Sequence, residues 1–244
     1  MTQRIPVDPT AKNTRSSTMR RVAGVFALLA VTLVFPSAHA SNTPFESGNN
    51  ASVLPALDAG GWVRREGGTL TTDDRSRLGA MGLGKMHSAV VALHKIPKRD
   101  PSRQMARLDG LVHAVGGFAP SEACDALVSQ GDHVGLCTGT VDGPLGKVPV
   151  RMPVNAKLSK DMNGVVRLVI TNHAPMEARP LVGWSEVVAP GHLKVIYEMF
   201  PTDDGWLVYT RIGVEMSAHE KSAKTITDAL LKLDVWLSRE LAKS

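Results

Sequence analysis

The chain has 244 residues, with 28 Lys/Arg against 23 Asp/Glu, and only two cysteines follow the first 40 residues. Five of the basic residues and one of the acidic ones lie in residues 1–40, so the remainder balances at 23 against 22. Bulk charge therefore selects no polyanion, and no Lys/Arg block with interleaved aromatics marks a nucleic-acid partner.

At the amino end, Arg20-Arg21 precedes an uncharged apolar run, Val22 to Phe35, and then Pro36-Ser37-Ala38-His39-Ala40. A basic start, an apolar middle and an A-x-A ending are the three parts of a secretory signal peptide. The run is shorter than the roughly 20 residues of a membrane-spanning helix. Residues 1–40 are thus expected to be cleaved after Ala40, leaving no stable membrane anchor and a periplasmic or secreted protein. Ser41 to Ala59 is rich in Ser, Asn, Pro and Gly without periodicity, a flexible linker. Residues 60–244 are long enough for one domain with a substantial core.

Within that domain Trp62 to Leu70 allows a short strand ahead of the acidic-basic Thr71 to Arg77. His87 to Ile96 reads as a strand stopped by Pro97. Asp100-Pro101 offers a cap followed by proline at the first helical position, with Met105, Leu108, Leu111, Val112 and Val115 at helical spacing behind it. A second short helix is expected over Ser121 to Gln130, ended by Gly131. In an oxidising compartment Cys124 and Cys137 are expected to form a disulfide; the rival, a redox pair, favours the closer C-x-x-C spacing.

Strands follow at His133 to Val141 and from Lys147 to about Ser159, then at Val165 to Thr171, Leu181 to Val188, Leu193 to Phe200 and Trp206 to Met216. Each is rich in β-branched or aromatic residues and bounded by turn formers. Short separators predict that neighbours pair antiparallel as a meander. Parity places Leu193, Val195, Tyr197 and Met199, and likewise Trp206, Val208, Thr210, Ile212 and Val214, on the inner face. Glu198 and Arg211 then fall outside together as a surface ion pair. Ser217-x-x-Glu220 is a capping box, and Ile226, Leu230, Leu233, Leu237 and Leu241 make one apolar stripe on a long last helix.

Strand, two helices, antiparallel meander and long closing helix form an order that resembles the START-like helix-grip (SRPBCC) superfamily of polyketide cyclases and lipid-transfer domains. The resemblance spans Lys85 to Lys243. It is carried by Gly183-Trp184-Ser185-Glu186-Val187-Val188, by Asp204-Gly205-Trp206-Leu207-Val208-Tyr209 and by the closing helix. It implies an α+β domain in which a curved antiparallel sheet of about seven strands wraps the last helix. An apolar cavity between them would hold a lipid, sterol or polyketide-like molecule, with Trp184, Tyr197, Met199, Trp206 and Thr210 as walls. A solid core without a cavity is the other outcome.

The chemical motifs are weaker. Gly79-Ala80-Met81-Gly82-Leu83-Gly84-Lys85 has the spacing of a phosphate loop, but Met86 stands where a hydroxyl would hold magnesium, which leaves a flexible loop. Gly183-Trp184-Ser185-Glu186-Val187 lacks the second glycine of a nucleophile elbow. Glu186 lies in an apolar pocket or in solvent depending on strand parity, and solvent is favoured. The histidines show no metal-ligand spacing, and His173 is an ordinary loop residue unless it lines a cavity mouth. No cofactor, metal or catalytic residue is assigned. The expected function is binding of a hydrophobic small molecule. A cyclase- or aromatase-like enzyme using Glu186 and His173, or a periplasmic protein-interaction module, are the alternatives.

Overall fold

The computed structural model describes residues 61–97, 99–113, 124–143, 146–203, 205–216 and 220–243. The expected signal peptide and linker and most of the Ser217-x-x-Glu220 box lie outside the described residues. The strands are β1 (Trp62–Glu66), β2 (Ser88–Pro97), β3 (Ala126–Gly131), β4 (Val134–Gly143), β5 (Gly146–Lys160), β6 (Val166–Asn172), β7 (Met176–Ala178), β8 (Ser185–Val188), β9 (Leu193–Thr202) and β10 (Gly205–Val214). The helices are α1 (Thr72–Gly79), α2 (Pro101–His113) and α3 (Glu220–Ala242).

The sheet has ten strands rather than about seven, in the order β1-β2-β10-β9-β6-β5-β4-β3, with β7 and β8 off this path. Three of the strands come from short segments. β1 lies within the Trp62 to Leu70 segment that allows a short strand, β7 lies in the stretch around His173 where the sequence predicts a loop, and β3 occupies Ala126–Gly131, where it predicts a helix. There Leu127 and Val128 pair with Cys137 and Leu136 of β4, so strand pairing overrides the weak helical spacing. The Cys124–Cys137 disulfide, with Cα atoms 5.5 Å apart, ties the start of this hairpin to β4. Replacing both cysteines by serine is expected to cost about 3 kcal/mol in the chain-entropy model, read as a lower denaturation midpoint.

Every observed pairing is antiparallel, but the meander is interrupted. β9 pairs with β6, not with β8, and β8 pairs with β7 alone. The reason is Asn172, which is fully buried. Its Nδ2 donates to the carbonyls of Ala174 and Ala189, its Oδ1 accepts from the Leu193 N–H, and its carbonyl accepts from the Gly191 N–H. This one side chain closes the neck of the 173–192 excursion, so β6 passes straight to β9.

α3 touches β2 and β10 near one end of the strand order and β4 near the other, so the sheet bends around the helix. Ile226, Leu230, Leu233, Leu237 and Leu241 are all buried against it. They meet Val195, Tyr197, Val208 and Ile212, of the inner parity read from the sequence, together with Val90, Ala92 and Leu168.

The outer face is buried too. α1 and the segment behind it lay Leu78 and Met81 on Leu93, Phe200, Leu207 and Tyr209. Thr71 and Asp74 form a reciprocal capping box that starts α1. The glycine-rich Gly79 to Lys85 stretch is pinned rather than flexible: Lys194 Nζ donates to the Met81 carbonyl at 2.6 Å and the Gly84 N–H to Glu215 at 2.8 Å. Leu83 sits so close to Gly213 that a Cβ there would stand 2.7 Å from it. Glu198 and Arg211 do pair, at 2.9 Å, yet beneath this cover instead of in solvent, being 3 % and 6 % exposed in their side chains. Asp74 is a second buried charge, held by Arg65 through two 2.7 Å bonds and by the Tyr209 hydroxyl at 2.9 Å.

Candidate functional site

Between the sheet and the carboxyl half of α3 lies a set of polar side chains in an otherwise apolar interface. Helical spacing puts Asp234 and Ser238 one turn apart on the face turned to β2. Asp234 is nearly fully buried. It accepts from the Thr210 hydroxyl at 2.7 Å and from Trp62 Nε1 at 3.4 Å. His94 Nδ1 stands 3.5 Å from its other side. Ser238 Oγ is hydrogen-bonded to His94 Nε2 and also donates to the Asp234 carbonyl at 2.8 Å. Burial holds the His94 imidazole below the ordinary histidine value, with Asp234 pulling the other way. The ring is therefore neutral near pH 7, with Nδ1 beside the carboxylate but in no hydrogen bond among the described residues. Opposite Thr210 on β9 is Tyr197, whose hydroxyl is buried with no hydrogen-bond partner among the described residues. Burial first, and Asp234 second, push its phenol well above the usual range.

A recess of about 420 Å³ opens beside this cluster. Its sheet wall is Trp62, His94, Ile96 and Pro97, and its helix wall is Val235, Ser238, Arg239 and Ala242. Six of the ten lining residues are glycine or apolar, with the His94–Ser238 pair as a polar point and Lys95 and Arg239 as cations. The far end of the helix is fixed by Gln104 of α2. Its Nε2 donates to the carbonyls of Pro97 and Leu241, and its Oε1 accepts from Trp206 Nε1 at 3.0 Å.

The five expected wall residues are not all brought together. Tyr197, Met199 and Thr210 lie on the helix-facing side of the sheet, fully or almost fully buried in the core. Trp206 is half-buried against α2, opposite Ile96 of the recess. Trp184 is remote from them, exposed on the β7–β8 hairpin. The recess itself is lined by other residues. Asp234 had a readable signal, a lone carboxylate within Leu230 to Leu237, and so did the unexplained Trp62; Ser238 had none.

The other candidates are dispersed. Glu186 is exposed on β8, in register with Glu177, and His173 and Ser185 are exposed as well. His87 accepts from the Met216 N–H, while His192 lies 3.6 Å from Glu215. Among the described residues no three His, Cys, Asp or Glu side chains are grouped as metal ligands, and no helix is long and apolar enough to cross a membrane.

The described residues form an α+β arrangement, an antiparallel sheet bent over a long closing helix. No family model matches the chain, and no curated protein matches it. Among solved structures it is similar to a STAR-related lipid transfer protein from Xanthomonas axonopodis at 13 % identity. That likeness covers 62 % of this chain and 85 % of the other, with a TM-score of 0.37. Protein Ms6760 from Mycobacterium smegmatis is similar at 8 % identity, over 64 % of this chain and 88 % of the other, with a TM-score of 0.35.

Proposed function

We propose that the protein is an exported binding protein for a hydrophobic small molecule, held in the recess between β1, β2 and the end of α3. The observation that carries this reading is the recess itself: apolar walls from Trp62, Ile96, Pro97, Val235 and Ala242, with a polar point at His94 and Ser238 and the cations Lys95 and Arg239 in the lining. Pockets that take small molecules have that composition and a volume of roughly 300–1,000 Å³. At about 420 Å³ the space suits a single-chain amphiphile better than a two-chain phospholipid. Export is supported by the Arg20-Arg21 start, the apolar Val22 to Phe35 run and the Ala38-His39-Ala40 ending.

Native mass spectrometry of the protein recovered from its own periplasm tests both parts. A chain beginning at Ser41 and carrying one small molecule is the expected result. Ala242→Trp, which fills the recess from the helix side, is expected to return an empty mass from an equally stable fold. Ligand retained by that variant at wild-type occupancy would move the site elsewhere.

The Ser238, His94 and Asp234 chain favours one second reading, a cyclase- or aromatase-like enzyme on this fold. Its proton carrier would be His94, since a neutral imidazole lining the recess is suited to general base work, rather than the exposed Glu186 and His173. His94→Gln that still holds ligand but loses turnover would select it; unchanged turnover would dismiss it.

A further inference from the structure

The β7–β8 hairpin ends in a six-residue tip, Arg179 to Trp184, that lies outside any strand. Leu181 is 77 % exposed, Val182 96 % and Trp184 37 %, a contiguous apolar set at the end of a projecting element. Such sets on a protein surface mark contact with a partner or a membrane. The base of the tip is anchored, because the Arg179 N–H donates to the Pro149 carbonyl of β5 at 2.9 Å. Gly183 takes a positive φ of 76°, which turns the chain back towards β8.

The tip carries its own collar. The guanidinium of Arg151 lies 4.5 Å from the Trp184 ring centroid and that of Arg179 5.6 Å from it. Two carboxylates of the hairpin, Glu177 and Glu186, stand in register with each other further back from the tip, and Glu177 answers Arg151 at 2.5 Å. Towards the tip the order is therefore Glu177 and Glu186, with Arg151 of β5 level with Glu177, then Arg179 with the Trp184 indole, then bare leucine and valine. That order matches the layers of a bilayer surface carrying anionic headgroups. Arginine and tryptophan sit at the headgroup level, and aliphatic side chains reach the acyl boundary.

We propose that this tip docks the protein reversibly on an anionic phospholipid bilayer, with Leu181 and Val182 inserted and Arg179 and Trp184 at the headgroups. A protein partner fits less well, since stable protein interfaces draw on roughly 20–30 residues a side, whereas the exposed apolar part here is three side chains. A shallow insertion of a few apolar residues with adjacent cationic charge is the form that reversible membrane association takes. The proposal deepens the binding function without depending on it. A hydrophobic ligand has to be collected from or delivered to a bilayer, but the recess lies where β2 ends, and the tip lies beyond the end of the sheet where β2 begins. Variants of the tip therefore leave the recess intact.

The test uses the chain from Ser41, which contains every core residue buried among the described ones and lacks the apolar run Val22 to Phe35. It is sedimented with vesicles of 3:1 phosphatidylcholine and phosphatidylglycerol, and with phosphatidylcholine alone. Wild type is expected to pellet with the anionic vesicles, and the double variant Leu181→Asp, Val182→Asp to lose on the order of tenfold or more of that binding. Arg179→Glu is expected to weaken the anionic preference, and Trp184 to be quenched by brominated acyl chains in wild type and not in Trp184→Phe. Because the altered side chains are exposed, an unchanged denaturation midpoint confirms that each variant is folded. Wild type that ignores both vesicles, or a double variant that binds as wild type does, overturns the proposal. So does a stoichiometric protein lost from the double variant while vesicle binding is unchanged. Ligand content, measured separately by extraction, reports on the recess whichever way the vesicles behave.

Discussion

Glu198→Ala is expected to destabilise the protein by about 3–5 kcal/mol, a cost typical of leaving a buried charge without its partner. Glu198 receives Arg211 at 2.9 Å and Arg167 at 2.5 Å, with Arg77 a further 3.7 Å away. Burial draws the Arg211 guanidinium below its ordinary value, and Glu198 is the largest influence holding it up. A guanidinium does not shed its proton within a protein, so removal of the carboxylate forces Arg211 to find water, and α1 with the 80–86 cover has to lift to admit it. Chemical denaturation checks the size. A loss under about 1 kcal/mol would mean that the pair is already hydrated. Making Arg211→Ala alone and together with Glu198→Ala closes a cycle in which the double variant is expected to lose less than the sum of the singles.

Asp234→Ala is the second large effect, about 3 kcal/mol, because it strands several groups at once. The Thr210 hydroxyl and the Trp62 indole lose their acceptor, and His94 loses the carboxylate that orients it. An unsatisfied buried polar group costs about 1–3 kcal/mol, and here relaxation through the adjacent recess relieves part of the sum. Asp234→Asn keeps an acceptor and is expected to cost less.

The same cluster gives a pH dependence whose sign follows from His94. Its folded value lies below the ordinary one of 6.5, so on acidification the unfolded chain takes up a proton before the folded chain does. Stability is then complete above pH 6.5 and declines as pH falls through 6.5 towards the folded value. The charged group facing the ring is Asp234 of α3; the neighbours Trp62 and Ser238 carry no charge. His94→Gln is expected to flatten the stability profile between about pH 7 and 5. A profile as steep as wild type would assign the decline to other groups.

The helix and the inner face of the sheet were legible because their periodicities are strong. The Ile226 to Leu241 stripe and the alternation along Leu193 to Met199 each leave one solution for which side is inside. The outer face was not legible for a physical reason. Its cover comes from Leu78, Met81 and Leu83, three apolar residues scattered through a segment of mixed charge and glycine, with no period to announce a buried surface. Glu198 and Arg211 therefore looked like solvent residues when they are core ones. The pairing of β9 with β6 escaped notice because short separators suggest that neighbours pair, and only Asn172 overrides that. At the candidate site, His94 and Asp234 are 140 positions apart in the chain, and nothing in their local sequences relates them. Parity selects the residues of a wall, but a void depends on where the wall fails to close, which residue type alone does not encode.

The neck closed by Asn172 has a meaning for how this protein changes over evolutionary time. The ladder from β6 to β9 is complete without the hairpin beyond the neck, and the base of that hairpin is part of the core through Met176, Ala178 and Val188, so its exposed tip is the accessory part. Insertions, deletions and sequence drift in the exposed tip, 179–184, alter what the molecule touches while the frame around α3 stays as it is. Surface and interior can thus be selected separately, and relatives sharing this frame are expected to differ most in the length and tip of this arm.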